Sequence, residues 1–105
     1  MIIDCVDVLG RRITLSELAW EVHVLTRRPW MLGWDEAVNQ CLLYPDHIYQ
    51  DKEHVNRECF YRLTTPINTD KFLKVVVEFD ADGIGRVITA FPSRAPSRGE
   101  QPKWP

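Results

Sequence analysis

The sequence predicts an α+β fold in which two N-terminal helices pack on one face of an antiparallel sheet of about four strands. Two segments with apolar residues at helical spacing come first, within residues 15–43. From residue 48 onward the chain is strand-like, and a hairpin turn joins its last two strands. Helices followed by hairpin-linked strands are typical of an antiparallel sheet that is covered on one face.

Length and composition indicate one globular domain. The chain has 105 residues, 45% hydrophobic and 27% charged, which argues against wholesale disorder. Its 13 basic and 15 acidic residues give a net charge of −2, unlike a protein that holds nucleic acid through bulk electrostatics. No apolar run approaches the roughly 20 residues needed to cross a bilayer, and Asp4 stands where a signal peptide has a basic flank. The sequence therefore predicts a cytoplasmic protein with no membrane partner.

The first helix is the best-defined element of the sequence. Thr14 and Glu17 have the spacing of a capping box, and Pro29 ends the helix directly after Arg28. Before it, residues 1–14 can form a short N-terminal hairpin. The apolar residues at helical spacing predict a buried stripe of Leu15, Leu18, Ala19, Val22 and Leu25.

The second helix is predicted over residues 34–43, and strands are predicted beyond it. Its apolar stripe comprises Trp34, Val38, Cys41 and Leu42. The predicted strands span residues 48–50, 57–64, 71–79 and 86–91, with a loop over 65–70 and a tight turn at Asp82-Gly83.

The C-terminal residues have a different composition. Residues 92–105 are basic and proline-rich and offer no apolar core, so we expect a single domain over residues 1–91 followed by a tail. This tail can be a solvated end or the rim of a site that holds an anion.

The cysteines predict neither a metal site nor a cofactor. Cys5, Cys41 and Cys59 are widely spaced, and no Cys-x-x-Cys pair exists, so we interpret them as buried, reduced thiols. The sequence also lacks a glycine-rich phosphate loop and a His-Glu-x-x-His pair.

Three local matches carry a resemblance to a known superfamily. The first is HVLTRRP over residues 23–29, a histidine followed by basic residues and proline at the end of a helix. The second is YPDHIYQD over 44–51 with RECFYR over 57–62, and the third is VVVEFDADGIGRVITAFPSR over 75–94 with RGEQPKW over 98–104. Together they resemble small bacterial and phage nuclease-like domains of the barnase, EndoU, colicin and RelE-like superfamily. Residues 1–14 have no clear counterpart there.

The resemblance implies a toxin-like ribonuclease that cleaves RNA without a metal, by attack of the ribose 2′-hydroxyl. It makes His23 the base or acid and places Arg62 and the Thr89 hydroxyl at the phosphate. Imidazole suits proton transfer near neutral pH, and a guanidinium matches phosphate geometry. The residues expected to bind the RNA strand are Arg28, Arg94, Arg98 and Lys103.

Each of these residues also has a structural interpretation that the sequence leaves open. His23 can be a hydrogen-bonded histidine at the rim of the core, and Arg62 can form a salt bridge. Arg28 can interact with the helix dipole, and Thr89 can be an ordinary strand residue. The alternative function is that of a catalytically inactive relative that binds a protein partner, such as an antitoxin.

Overall fold

The computed structural model describes residues 1–63, 71–94 and 96–105, which form an α+β domain around a seven-stranded sheet. Its strands lie in the order β1-β2-β6-β5-β4-β3-β7, and all neighbours are antiparallel except β2 and β6. The predicted α+β class is confirmed, whereas the sheet is larger than four strands and mixed. The strands are β1 (Ile3–Val6), β2 (Arg12–Leu15), β3 (His47–Gln50), β4 (Arg57–Arg62), β5 (Phe72–Phe79), β6 (Gly85–Ser93) and β7 (Gln101–Trp104).

The N-terminal hairpin is present and extends the sheet beside β6. Strand β2 runs parallel to β6 over two residue pairs only, Ile13 with Gly85 and Thr14 with Arg86. A Cβ atom at Gly85 would lie 2.7 Å from Val77 Cγ1, so only glycine fits where the strands meet. Beyond Arg86, β6 has no strand neighbour on this side in the described part of the chain.

Helix α1 combines an α-helical turn, Glu17–Ala19, with a π-helical segment, Trp20–Leu25. Ser16 rather than Thr14 caps it, since Ser16 Oγ accepts from the Ala19 amide at 3.1 Å. Within the π-helical segment an amide bonds the carbonyl five residues earlier, which adds a residue to the turn and rotates the buried face. The predicted buried stripe is confirmed only in part. Leu15 is buried, and Ala19 and Leu25 pack against the core. Leu18 and Val22 are exposed, and Trp20 and Val24 are buried instead.

Helix α2 (Asp35–Leu43) follows a short 3-10 turn, Pro29–Met31, and agrees with its prediction. Val38, Cys41 and Leu42 are fully buried on one side of it. Both helices cover the same face of the sheet, where their apolar side chains pack against β4, β5 and β6. All three cysteines are free; Cys41 and Cys59 are buried and Cys5 is half-buried.

The opposite face of the sheet carries a second, smaller cluster that includes Cys59, Tyr61 and Val76. The C-terminal strap, as we name residues 96–105, turns at Gly99, whose φ is +92°, and then adds β7 to the free edge of β3. Residues 101–104 are thus an edge strand, where the sequence had suggested a solvated end or the rim of a site.

Two further predictions concern a membrane span and the loop after β4. No helix among the described residues is both long and apolar enough to cross a membrane. The predicted end of the second strand at residue 64 and the loop over residues 65–70 lie outside the described part of the chain.

Candidate active-site groove

A groove runs between α1 and the part of β6 that lies beyond its short pairing with β2. It consists of two adjoining cavities of about 340 and 440 Å³, and His23 and Ile88 line both. We name it the His23 groove. Its remaining lining residues are Thr14, Ser16, Ala19, Arg86 and Val87 in the first cavity and Val22, Thr26, Arg27 and Thr89 in the second.

The His23 side chain is exposed at the centre of this groove. Among the described residues, no hydrogen bond or ion pair occupies its imidazole, and the Thr89 hydroxyl contacts its backbone carbonyl rather than its ring. The interpretation of His23 as a histidine bonded within the core rim therefore has no support in the geometry. The ring is free to exchange a proton with a molecule in the groove.

Two arginines give the groove a positive charge at both ends. Arg27 lines the second cavity, is exposed and has no ion pair in the described part of the chain. Arg86 lines the first cavity, and its exposed guanidinium lies 3.3 Å from the Glu78 carboxylate. A surface pair of this kind contributes little and is readily exchanged for another anion.

Thr89 lies beside His23, as the sequence predicted, but its hydroxyl is directed at the helix. Thr89 Oγ1 donates to the His23 carbonyl oxygen at 3.4 Å. The carbonyls in the last turn of a helix lack partners within the helix, so this contact ties the end of α1 to β6. Thr89 thereby holds the backbone that carries the imidazole.

Arg62 does not lie in the groove. On β4, Arg62 pairs with Leu73 of β5, and Leu73 in turn pairs with Pro92 of β6. Arg62 is therefore two strands away from β6, at the level of a residue three positions beyond Thr89. The Arg62 guanidinium donates through Nη1 to the carbonyl of Tyr44 at the end of α2. Its Nε is buried with no hydrogen-bond partner in the described part of the chain. The structure therefore brings His23 and Thr89 together and leaves Arg62 apart from them.

The four residues that were predicted to bind the RNA strand have different surroundings. The Arg28 guanidinium lies over the Phe91 ring, with Cζ 4.7 Å from the ring centroid. Arg94 and Arg98 are exposed. Lys103 points back to the body of the domain, where its amine donates to Glu58 at 2.9 Å. Arg28 is thus a cation–π partner of β6, and Lys103 anchors the strap.

A second concentration of polar groups lies beneath the strap, on the sheet face that the helices leave uncovered. The Glu100 carboxylate accepts from Lys74 Nζ at 2.8 Å and from the Tyr61 hydroxyl at 2.5 Å. Cys59 Sγ lies 3.7 Å from the same carboxylate. Lys74 and Glu100 are only 6% and 8% exposed. We name Cys59, Tyr61, Lys74 and Glu100 the Glu100 cluster.

Burial keeps the Cys59 thiol and the Tyr61 hydroxyl of the Glu100 cluster protonated. Burial and the nearby Glu100 carboxylate raise the pKa of Cys59 to about 12, so it is a thiol at neutral pH. Burial and the hydrogen bond to Glu100 also raise the pKa of Tyr61 well above its usual value. Oxygen and sulfur atoms of Asp51, Cys59 and Glu100 lie within 4.8 Å of one another, but the Lys74 ammonium already supplies a positive charge there. We assign no metal to them.

The sequence analysis did not predict the Glu100 cluster, although the sequence contains signals for two of its residues. Lys74 interrupts the apolar run of β5 at a position that alternation turns away from the helices. Glu100 is the single acid in the basic C-terminal segment. A buried cation needs a partner, so these two residues could have been paired. Arg27 and Arg86 gave no comparable signal, since the groove depends on the π-helical segment and on the parallel β2–β6 pair.

No family model, no curated protein and no solved structure matches this chain.

Proposed function

We propose that this protein binds single-stranded RNA in the His23 groove and cleaves it by attack of a ribose 2′-hydroxyl. The observation that carries the proposal is an exposed imidazole that has no partner within residues 1–63, 71–94 and 96–105, placed between two arginines in an open groove. An imidazole ring is the side chain that most often serves as a general acid or base in enzymes. The guanidinium groups fit the negative charge of the RNA backbone.

In the proposed reaction, the His23 imidazole removes the 2′-hydroxyl proton and the 2′-oxygen attacks the adjacent phosphorus. The bond between phosphorus and the 5′-oxygen breaks, and this leaving oxygen takes a proton from water in the open groove. The His23 imidazolium then returns its proton to the hydroxide that this transfer leaves. The products are a 2′,3′-cyclic phosphate and a 5′-hydroxyl. Arg27 and Arg86 offset the charge that builds on the phosphate, and Thr89 positions His23 through the backbone contact.

The reaction needs no metal ion, and the chain is suited to the cytoplasm. Three free cysteines, two of them buried, fit a compartment in which thiols stay reduced. A nuclease with this location would be toxic to its own cell, and a protein partner such as an antitoxin would then restrain it.

A protein-binding module without catalysis is the second candidate. Its support is a set of exposed apolar side chains on the outer side of α1 and in the turn after it, with exposed fractions of 49–74%: Leu18, Val22, Trp30 and Leu32. Apolar groups concentrated on one side of a protein often contact a partner. The separation of Arg62 from His23 also removes one cation from the site that the sequence predicted.

The proposal is tested by incubating the protein with single-stranded RNA in the presence of EDTA and identifying the ends of the products. We expect cleavage that leaves 2′,3′-cyclic phosphate ends, since the mechanism uses side chains alone. Binding of RNA without cleavage would favour the module without catalysis. Cleavage that stops in EDTA, or that leaves 5′-phosphate ends, would contradict the mechanism.

A further inference from the structure

The donor groups that surround the Glu100 carboxylate could also hold another small oxyanion. One oxygen of Glu100 accepts from the Tyr61 hydroxyl and the other from the Lys74 ammonium. The Cys59 thiol approaches the second oxygen, and the Ser97 hydroxyl lies 3.2 Å from Lys74 Nζ. Ammonium, hydroxyl and thiol groups directed at one point are also the donors that hold a phosphate oxygen.

The carboxylate reaches this position only through the C-terminal strap. Strand β7 has four residues and, among the described strands, pairs with β3 alone, with a register shift between Ile48 and Tyr49 of β3. Pro102 lacks an amide to donate, and three of the four β7 residues are exposed. Outside its pairing with β3, the strap is held by Trp104, which packs against the main core, and by polar contacts that include Lys103 with Glu58 and Glu100 with Lys74. Loss of the Glu100 contact therefore removes a large share of what keeps the strap closed.

The Glu100 cluster is close to the His23 groove. The ring of Phe91, two residues after Thr89 on β6, lies between two cations: its centroid is 5.5 Å from Lys74 Nζ and 4.7 Å from Arg28 Cζ. Residues two apart on a strand share a face and lie roughly 6–7 Å apart. One RNA strand can thus contact both places.

We propose that Lys74, Tyr61 and Cys59 form a second anion site, for a backbone phosphate of RNA, and that Glu100 occupies it as an internal competitor while the strap is closed. In the open strap, Glu100 is in water and a phosphodiester takes its place on Lys74. The identification of the anion as an RNA phosphate rests on the proposed function, whereas the competition itself does not.

The neighbourhood favours a phosphodiester over free phosphate. Asp51 accepts hydrogen bonds from the backbone amides of Glu53 and His54, which help to hold its pKa below the ordinary value. It therefore stays charged within 4.8 Å of the cluster. A fixed negative charge repels a dianion more than a monoanion, so the singly charged diester of an RNA backbone fits better than inorganic phosphate.

The test is the affinity for dimethyl phosphate, a diester without a nucleobase, in wild type and in Glu100→Gln. The amide has the shape of the carboxylate without its charge, so it competes less well for Lys74. We expect Glu100→Gln to bind dimethyl phosphate about tenfold more tightly, because the apparent affinity rises with the fraction of open strap. Adding Lys74→Met to Glu100→Gln should abolish this gain. An unchanged affinity in Glu100→Gln, or a gain that survives Lys74→Met, would overturn the proposal.

A second variant loosens the strap without changing the Glu100 cluster, so it tests the proposal even if the Glu100→Gln protein does not fold. Lys103→Gln removes the amine that fastens the strap to Glu58. If the strap competes with the anion, Lys103→Gln binds dimethyl phosphate more tightly than wild type; equal or weaker binding counts against the proposal. Cleavage does not enter either measurement, so the site and the nuclease can fail separately.

The source of the anion is settled by two further probes. An RNA oligonucleotide with 2′-O-methyl groups cannot be cleaved, and its binding should speed hydrogen exchange of the β7 amides, because the strap opens. Inorganic phosphate should have a smaller effect at the same concentration. If inorganic phosphate opens the strap and the oligonucleotide does not, a free phosphate is the ligand and the assignment to RNA is wrong.

Discussion

Lys74→Met is expected to weaken the closed strap by about 3–5 kcal/mol, which is the range for removing one partner of a buried ion pair. The methionine fills the space of the lysine stem but leaves the Glu100 carboxylate, 8% exposed, without its cation. Because Glu100 can escape this loss by entering water, the effect should appear first at β7. Hydrogen exchange of the β7 amides should approach that of an unprotected chain, with a smaller change in the rest of the sheet.

Two comparisons isolate this ion pair. Lys52→Met alters an exposed lysine that has no ion pair in the described part of the chain and whose stem lies beside Gly99 of the strap. Because methionine keeps the start of that stem, this variant should leave β7 exchange unchanged. The double variant Lys74→Met, Glu100→Gln removes both charges and should recover much of the lost protection. Undiminished protection of β7 in Lys74→Met would mean that the ion pair does not hold the strap.

His23→Ala is expected to reduce RNA cleavage by about 10²–10⁴-fold, the usual contribution of a general acid or base. The side chain is exposed and without a partner among the described residues, so the free energy of unfolding should change by less than about 0.5 kcal/mol. The measurement is the initial rate of cleavage of a labelled oligonucleotide, with denaturation curves for both proteins.

The matched control is His54→Ala. His54 is an exposed histidine in the turn between β3 and β4, and it takes no part in the groove. This variant should cleave RNA at the wild-type rate. If both substitutions reduce cleavage equally, or neither does, His23 is not the group that transfers the proton.

The parts of the fold that were predicted correctly have local causes. Helix α2 keeps a strict helical spacing, so Val38, Cys41 and Leu42 are buried as expected. The β5–β6 hairpin was predicted from its turn, in which Gly83 has a φ of +79° and Asp80 Oδ1 accepts from the amides of Asp82 and Ile84. Both elements are determined within a few residues of sequence.

The parts that were missed depend on distant residues or on irregular helix geometry. Leu18, in the α-helical turn of α1, and Val22, in its π-helical segment, are both exposed. No spacing rule for an α-helix anticipates the rotation that a π-helical segment introduces. The parallel β2–β6 pair joins residues about 70 positions apart, and β7 is an edge strand that contains Pro102. Its pairing with β3 has no local signature.

The candidate site was predicted only in part, because some of its contacts also join distant segments of the chain. His23 and Thr89 lie together because α1 packs along β6, and both segments were recognised from the sequence. Arg62 lies on β4, within the strand predicted over residues 57–64. Its partner, the Tyr44 carbonyl, comes from the end of another element and could not be read from spacing.

The most direct test of the central claim is to find where RNA touches the protein. The chemical shifts of an isotope-labelled sample can be followed as a single-stranded oligonucleotide with 2′-O-methyl groups is added. We predict the largest changes at the His23 ring, Arg27 and Thr89, all of which line the second cavity of the groove. Changes confined to the exposed apolar residues around Trp30, or no change at the His23 ring at saturating RNA, would contradict the account.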